Sequence, residues 1–340
     1  MYFNENTIIK EKIIIGSLNH IKEDNLNIAY GIDNNFTLGC VISITSILLA
    51  NSASSFSFHI FTNHLDDKFQ KKLKELVTTY NTNVTIYLVD DSTLINLPTT
   101  KNWTIATYFR FIIADFFYAK IDKILYLDAD IICKGSLHDL FHLNLESIIA
   151  YVVAEKDSIW WTKCAQRLNQ NKLVSGYFNA GFLFINLNNW QEYNINDKAL
   201  LLLNDTEISK KLTHLDQDVL NLLLLEKVSY LDRKYNQQVN INYELKYHLN
   251  AAQYNPITED TIFIHYIGPT KPWHKWAKNY NCSSYFLNVK AHSPWDKEPL
   301  LSASSSTQMR YCAKHEFHQK KIIAGIICYL KYYFKKLKIH

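Results

Sequence analysis

Two carboxylates, Asp128 and Asp130, stand on either side of Ala129, directly after the apolar run "KILYL". Alternate residues of a strand point to the same side, so these two side chains can converge just beyond the end of the strand. Carboxylates in one place repel each other, and a divalent cation such as Mg²⁺ or Mn²⁺ relieves that repulsion. The pair predicts a metal site. The structural alternative is that one aspartate caps the next turn while the other is solvated.

The segment "TIFIHYIGPTKPWHKW" offers further groups for the same chemistry. His265 ends an apolar run and can add an imidazole nitrogen ligand, which favours Mn²⁺ over harder ions. Gly268 lets backbone N–H groups approach a phosphate closely, and Lys271 offers a positive charge to the same anion. Considered one at a time, His265 could be a core histidine whose ring nitrogens are hydrogen-bonded, and Lys271 could be an ordinary surface lysine. Together with the aspartates they indicate the parts that a nucleotide-sugar glycosyltransferase needs to stabilise a departing diphosphate.

The elements that would position these groups follow an α/β pattern. Residues 27 to about 275 alternate strand-like and helix-like segments, which predicts a parallel or mixed sheet covered by helices. The first segments, "LNIAYGID", "TLGCVISITSILLAN", "FSFHIFT", "DDKFQKKLKELVTTY" and "VTIYLVD", form a β-α-β-α-β run. Right-handed crossovers place the carboxyl ends of such strands along one edge, where ligands bind in open α/β sheets. Asp33, at the end of the first strand, is therefore another candidate site residue.

The pattern of the rest of the sequence completes a division of the whole chain into three parts. The segment "WTIATYFRFIIADFFY" predicts a buried helix that carries Arg110, and several apolar segments and the helical "LDQDVLNLLLL" follow it. We predict an N-terminal extension over residues 1–26, a catalytic domain over 27–275 and a small, mainly helical C-terminal subdomain over 276–340.

The C-terminal tail from Lys314 to His340 carries a charge of +6, from seven lysines and one acid, Glu316, whereas the rest of the chain carries −2 of the total of +4. Apolar residues recur among these lysines near helical spacing, which predicts a helix lying on an anionic membrane surface. The alternative is a helix packed on the main domain with its lysines extended into solvent. The basic residues do not extend across the fold, so we expect no nucleic-acid partner.

The sequence also bears on the compartment. No apolar run approaches the roughly 20 residues that span a bilayer, and the N-terminus lacks the layout of a signal peptide, so we expect a cytosolic protein.

The cysteines are far apart and include no C-x-x-C pair, which predicts reduced, packed thiols rather than disulfides or a zinc site. They are Cys40, Cys133, Cys164, Cys282, Cys312 and Cys328.

Five ordered segments resemble the motifs of the family-eight retaining glycosyltransferases, specifically the bacterial lipopolysaccharide outer-core hexosyltransferases. They are "NIAYGIDNNF", "YLDADI", "FNAGFLFIN", "HLDQDVLN" and "HYIGPTKPWHKWA". The resemblance covers nearly the whole chain from about residue 26. It implies a nucleotide-sugar-binding fold of the GT-A type, dependence on Mn²⁺ or Mg²⁺, and UDP-galactose or UDP-glucose as donor. It further implies a lipopolysaccharide core acceptor and an α-1,3 linkage. The basic tail leads us to expect a peripheral position on the cytoplasmic face of the inner membrane.

The same resemblance implies roles for individual residues. The implied metal ligands are Asp128, Asp130 and His265. The uridine would be held by Asp33, Asn35 and Phe36, with Phe36 stacking where relatives often have tyrosine. The diphosphate would be held by Gly268 and Lys271. The donor sugar and the reaction centre would be lined by Arg110, Asn179, Ala180, Asp216 and Gln217, with Asp157 as a less closely matched sugar contact.

Retention of configuration allows two mechanisms. A double displacement needs a nucleophilic carboxylate on the far face of the sugar, and the matching motif offers Gln217, a poor nucleophile. We therefore favour front-face attack, in which the acceptor hydroxyl gives its proton to the leaving phosphate oxygen while Gln217 and Asp216 only position groups. The motifs leave galactose and glucose undistinguished, and they leave open an α-1,2-glucosyltransferase or a UDP-sugar-binding scaffold without turnover.

Overall fold

The computed structural model describes residues 2–16, 25–100, 103–246 and 256–337. The strands are β1 (Ile9–Ile15), β2 (Asn25–Ile32), β3 (Ser55–Thr62), β4 (Asn83–Val89), β5 (Lys123–Leu127), β6 (Ile131–Cys133), β7 (Ala150–Ala154), β8 (Phe178–Asn186), β9 (Val228–Leu231), β10 (Gln237–Val239) and β11 (Phe263–Tyr266). The α-helices are α1 (Glu5–Ile8), α2 (Thr37–Ala50), α3 (Asp67–Tyr80), α4 (Phe109–Phe117), α5 (His138–Phe141), α6 (Ser158–Leu168), α7 (Leu187–Glu192), α8 (Ile195–Asn204), α9 (Thr206–Ser209), α10 (Leu215–Leu223), α11 (Ser284–Ala291), α12 (Ser306–His318) and α13 (Ile322–Lys336).

The main sheet is mixed, as the sequence predicts. Within the described ranges its strand order is β1-β4-β3-β2-β5-β8-β7-β9, and a smaller sheet has the order β10-β11-β6. Strands β2 to β5 run parallel, whereas β8 runs antiparallel to both β5 and β7. Strand β1 pairs antiparallel with β4, so part of the predicted N-terminal extension forms the edge of the main sheet. The predicted α/β fold is confirmed, while the three domain bounds stay a prediction.

The two faces of the sheet bury two separate apolar clusters. Ile28 and Tyr30 of β2 belong to one cluster together with α2, whereas Ala29 belongs to the other together with α4. This division follows from the period of two along a strand, which sends neighbouring side chains to opposite faces. Strand β3 is buried along almost its whole length although its sequence, SFSFHIFT, alternates polar and apolar residues, because helices cover both faces of the sheet.

The smaller sheet brings the candidate site residues together at the carboxyl edge of the main sheet. Strand β5 ends at Leu127, and Asp128 follows, donating its backbone N–H to the carbonyl of Gly181 in β8 over 2.8 Å. Strand β11 pairs with β6 so that His265 lies opposite Ile131. The backbone N–H of Tyr266 also donates to the carbonyl of Asp130 over 3.0 Å. A histidine about 135 residues away in sequence thereby reaches the aspartate pair.

The last two helices pair with each other and correct one expectation. A turn at Lys320 lets α13 pack on α12, where Gly325 leaves no room for a Cβ beside the ring of Phe317. The structure joins Cys312 to Cys328 in a disulfide, so the prediction of reduced thiols is wrong for this pair. Sequence spacing could not reveal the pair, because it depends on how the two helices fold together. The other four cysteines are free and buried, as expected.

Helix α13 presents most of its apolar residues to solvent. Ile323 is 77% exposed, and the other exposed residues are Ile322, Ile326, Ile327, Leu330, Tyr333, Phe334 and Leu337. The alternative in which this face packs on the main domain is therefore not observed for the described residues. None of the helices in the described ranges is long and apolar enough to cross a membrane.

Candidate active site

Asp128, Asp130 and His265 converge in one cluster. A carboxylate oxygen from each aspartate and a ring nitrogen of the histidine all lie within 4.8 Å of one another. The Nε2 atom of His265 lies 3.1 Å from Oδ1 of Asp130 and 3.9 Å from Oδ2 of Asp128. Asp130 and His265 are buried, whereas Asp128 is half-buried. The three predicted ligands are thus brought together, with one of them open to the solvent side.

Two observations indicate that this cluster fits a divalent cation. In the part of the chain that the structure describes, Oδ1 of Asp130 is buried and receives no hydrogen bond. An unsatisfied buried carboxylate oxygen is costly unless another positive group satisfies it. A Cβ on Gly181 would lie 2.5 Å from Cε1 of His265 and 2.7 Å from Oδ2 of Asp128, so only glycine fits beside the cluster. Two carboxylates and an imidazole form a ligand set that suits Mn²⁺ or Mg²⁺.

The predicted diphosphate residues lie next to the cluster. The ammonium of Lys271 contacts Oδ2 of Asp130 and donates to the carbonyl of Tyr266 over 2.7 Å. Burial alone would raise the pKa of Asp130, but the ammonium of Lys271 outweighs it and holds that pKa well below its usual range. Gly268 has a φ of +84°, a conformation that favours glycine. A positive charge and a glycine turn therefore flank the candidate metal site.

Arg110 joins the cluster to the predicted reaction centre. Its Nη2 donates to Oδ1 of Asp128 over 3.1 Å, and its Nη1 lies 2.9 Å from Oδ2 of Asp216. Nη1 also donates to the carbonyl of Ala180 over 2.7 Å. Burial raises the pKa of Asp216 to about 6, although the guanidinium of Arg110 acts in the opposite direction. Thr107, which the sequence did not single out, donates to the other oxygen of Asp216 over 2.9 Å.

The amides of Asn179 and Gln217 meet around Ala180. The Oε1 atom of Gln217 accepts from the backbone N–H of Ala180 over 3.0 Å and from Nδ2 of Asn179 over 3.2 Å. The same Nδ2 donates to the buried carboxylate of Glu155 over 2.8 Å. Glu155 was not among the predicted site residues, although it lies two residues before Asp157 in the segment "VVAEKD". Asp157 is exposed and accepts from the backbone N–H of Trp160 as the N-cap of α6, and its sugar contact stays a prediction.

The predicted uridine residues form a turn after β2. Asp33 accepts from the backbone N–H of Asn35 over 2.8 Å and from the hydroxyl of Thr104 over 2.9 Å. The ring of Phe36 packs edge to face on Trp273 with centroids 5.9 Å apart. Lys271 Nζ lies 5.8 Å from the centroid of the Phe36 ring. The uridine candidates therefore adjoin the diphosphate candidates, as one bound nucleotide would require.

A mixed α/β sheet with an acidic pair, a histidine and a lysine at its carboxyl edge is the arrangement expected of a nucleotide-sugar glycosyltransferase. Residues 27–277 match the model of the family "Glycosyl transferase family 8", and residues 280–336 match "Glycosyl transferase family 8 C-terminal". The chain therefore belongs to glycosyltransferase family 8.

Named relatives support the same family. The chain is 49% identical to the lipopolysaccharide 1,3-galactosyltransferase of Salmonella typhimurium over 99% of this chain and 98% of that protein. It is 48% identical to the lipopolysaccharide glucosyltransferase WaaO of Escherichia coli over 92% of this chain and 91% of that protein. A crystal structure of the galactosyltransferase LgtC with donor and acceptor sugar analogues aligns with a TM-score of 0.65 at 22% identity. It covers 79% of this chain and 96% of that one, which confirms the predicted fold.

Proposed function

We propose that the chain is a retaining hexosyltransferase that moves galactose or glucose from a UDP-hexose to a glucose of the lipopolysaccharide core, forming an α-1,3 linkage. The observation that carries the proposal is the convergence of Asp128, Asp130, His265 and Lys271 in a chain 49% identical to a lipopolysaccharide 1,3-galactosyltransferase. Asp128, Asp130 and His265 would hold a Mn²⁺ or Mg²⁺ ion, which would supply positive charge to the diphosphate of the departing UDP. Lys271 adds a positive charge beside that leaving group, and Gly268 permits its close approach.

The hydrogen bonds of Gln217 and Asp216 support front-face attack. The Oε1 atom of Gln217 already accepts from Ala180 and Asn179, and both oxygens of Asp216 are engaged by Arg110 and Thr107. Neither residue therefore offers a free nucleophile. In the proposed step the acceptor oxygen bonds to the anomeric carbon while the bond from that carbon to the phosphate oxygen breaks. The phosphate oxygen keeps the electron pair and takes the proton of the acceptor hydroxyl.

One substitution and one trapping experiment test this mechanism. Gln217→Ala should keep a substantial fraction of kcat, since the side chain positions groups and does not attack. A hexosyl adduct trapped on Asp216 would overturn front-face attack.

A cavity of about 130 Å³ beside the cluster supports an acceptor site. Lys156, Arg233 and the amides of Gln238 and Asn240 are among the residues that line it. Among the described residues, Nε2 of Gln238 is buried and has no hydrogen-bond partner. Asn236 lines this cavity and also contacts His265, so the cavity adjoins the candidate metal site. Donor groups of this kind suit the hydroxyl and anionic oxygens of a core oligosaccharide.

The exposed face of α13 supports attachment to the inner face of the inner membrane. Its apolar residues face solvent, and Lys320, Lys321, Lys331, Lys335 and Lys336 lie on or next to the helix. Each lysine near an anionic lipid surface contributes about 1 kcal/mol to binding. The protein would then work as a peripheral enzyme on the cytoplasmic side of that membrane.

One experiment separates this function from its alternatives. The purified chain is incubated with Mn²⁺, a truncated core acceptor and either UDP-galactose or UDP-glucose, and the product linkage is determined by NMR. We expect an α-1,3-linked hexose and no product from Asp128→Ala or Asp130→Ala. An α-1,2-linked glucose would identify the 1,2-glucosyltransferase alternative, and UDP binding without transfer to any core acceptor would identify a scaffold.

A further inference from the structure

We infer that Asn236 is a positioning residue that holds His265 in the tautomer able to ligate the metal and links it to Asn179. The inference rests on the proposed function, since it concerns the metal site of that reaction. Asn236 ends the 3₁₀ helix Arg233–Asn236 directly before β10, and it is 2% exposed. Its local sequence, "RKYNQQV", contains no recognisable motif that would mark it as a site residue.

The direction of each hydrogen bond follows from one fixed donor. The backbone N–H of Gly181 can only donate, and it does so to Oδ1 of Asn179 over 3.0 Å. The atom of Asn236 that lies 3.0 Å from that same oxygen must therefore be its amide nitrogen, Nδ2. The carbonyl oxygen of Asn236 then faces Nδ1 of His265 over 2.9 Å, so Nδ1 must carry a proton.

The consequence appears at the other ring nitrogen. A neutral imidazole has one N–H, and with that proton on Nδ1 the Nε2 atom presents its lone pair. The lone pair faces the cluster, because Nε2 lies 3.1 Å from Oδ1 of Asp130. Nε2 of His265 and Oδ1 of Asp130 are then both acceptors, and a cation could bind to both of them. This agrees with the absence, among the described residues, of a hydrogen-bond donor to Oδ1 of Asp130. Partners of this kind, which hold the second nitrogen of a ligating histidine, fix its tautomer and ring orientation.

Asn236 also connects the metal ligand to the reaction centre. The Asn179 side chain that accepts from Asn236 donates to Glu155 and Gln217. One continuous chain of hydrogen bonds therefore runs from His265 through two asparagines to the residues around the donor sugar. Replacing Asn236 should disturb both ends, and the two effects can be separated by changing only one of its two amide functions.

Three variants test the inference by Mn²⁺ binding, measured by electron paramagnetic resonance in the absence of donor and acceptor. Asn236→Ala removes both amide functions and should weaken Mn²⁺ binding about 10- to 100-fold. Asn236→Asp keeps an acceptor for Nδ1 of His265 but loses the donor to Asn179. It should keep Mn²⁺ affinity near that of the wild type while lowering kcat. Asn196→Ala is the matched control, because Asn196 is an equally buried asparagine outside the site.

Nitrogen NMR of the imidazole gives an independent measurement in the full-length chain. In the wild type and in Asn236→Asp, the Nδ1–H tautomer of His265 should dominate at neutral pH, and Asn236→Ala should shift the population toward Nε2–H. Unchanged Mn²⁺ affinity and tautomer in a folded Asn236→Ala variant would overturn the inference, as would an equal loss of affinity in Asn196→Ala. Because neither measurement uses a sugar, failure of the proposed function would appear separately as absence of transfer by the wild type.

Discussion

The guanidinium of Arg110 lies 2.9 Å from the carboxylate of Asp216, and both side chains are almost completely buried. The same guanidinium donates a hydrogen bond to Asp128. Arg110 therefore contacts both a candidate metal ligand, Asp128, and a candidate sugar-site residue, Asp216. Removing one partner of a buried ion pair leaves an uncompensated charge, which typically costs about 3–5 kcal/mol. Arg110 is therefore expected to matter for both stability and metal binding.

Arg110→Met tests this double role. We expect the free energy of unfolding to fall by about 3 kcal/mol and Mn²⁺ affinity to fall with it, because Asp128 and Asp216 lose their shared partner. Chemical denaturation and titration with Mn²⁺ measure the two effects. Arg167→Met is the matched control, since Arg167 forms a similar pair with the buried Asp218 outside the cluster. It should lower stability but leave Mn²⁺ affinity unchanged, and loss of affinity in both variants would refute the specific role.

Gly181 gives a prediction about space rather than charge. In Gly181→Ala the added methyl group would meet His265 and Asp128, which must move apart to make room. Mn²⁺ affinity should fall at least about tenfold, while the secondary structure measured by circular dichroism is retained. Gly135→Ala is the comparison, because its nearest neighbours lie 3.2 Å away, at Ile262, outside the cluster. Normal Mn²⁺ binding by a folded Gly181→Ala protein would show that the three ligands do not act together.

The sequence predicted the elements of the catalytic domain better than it predicted the contacts between site residues. The strand around residues 26–33, the helix around 37–51 and the strand before Asp128 follow from strong periodic patterns, and the structure has them at nearly the same bounds. The approach of Asp128 and Asp130 was expected from the period of two along a strand. His265 was expected to join them, but it does so from β11 of the smaller sheet, through the pairing of β11 with β6. The family motifs, rather than periodicity, supplied Arg110, Asn179 and Gln217.

What the sequence missed depends on long-range packing. Glu155 and Asn236 act through hydrogen bonds to residues at least 24 positions away in sequence, and no local pattern marks them. Gly181 was present in the quoted motif "FNAGFLFIN", but its need for a missing Cβ emerges only when β8 lies against His265. The disulfide between Cys312 and Cys328 likewise depends on how α12 and α13 pack.

The cavity that we propose for the acceptor leads to a prediction for Lys156. Lys156→Ala should raise KM for the core acceptor while leaving KM for the UDP-hexose unchanged, because the lysine lines the cavity and is not among the nucleotide candidates. Steady-state kinetics with each substrate varied in turn separates the two constants. Lys163→Ala serves as the control. Lys163 lies in α6, shortly after Lys156 in the chain, and does not line the cavity. An increase confined to KM for the UDP-hexose would place Lys156 at the donor instead.

The membrane proposal can be tested on α13 without deleting the helix. The triple variant Ile323→Ser, Leu330→Ser and Phe334→Ser removes exposed apolar surface and keeps every lysine and the Cys312–Cys328 pair. We expect weaker sedimentation with anionic vesicles, and a larger loss of activity on membrane-embedded lipopolysaccharide than on a soluble oligosaccharide. Lys331→Gln with Lys336→Gln tests the electrostatic contribution, which should disappear with neutral vesicles. Equal losses on both acceptors would favour a packing role for the helix.

Deletion of residues 320–340 gives a second comparison. If α13 is the membrane contact, the shortened chain should bind anionic vesicles more weakly than the wild type, as the triple variant should. Vesicle binding that survives the deletion would exclude α13 as that contact.

The buried histidines predict how stability depends on pH. Burial lowers the pKa of His59 to about 3, and Lys12 acts in the same direction. In the unfolded chain a histidine titrates near 6.5, so the folded state binds fewer protons between about pH 3 and 6.5. Acid therefore favours unfolding. The contribution of neutral His59 to stability is present above pH 6.5 and is lost as the pH falls, by at most about 1.4 kcal/mol per pH unit.

His59→Phe tests this assignment, because phenylalanine keeps the ring packing against Phe117 but cannot take up a proton. The free energy of unfolding of the wild type, measured by denaturation between pH 7 and 4.5, should fall with decreasing pH. In the variant that slope should be smaller, even if the lost hydrogen bond to Asn27 lowers stability at every pH. Burial also lowers the pKa values of His274 and His315 to about 3, so part of the slope should remain. An identical slope in wild type and variant would mean that His59 is protonated in the folded protein as readily as in the unfolded chain.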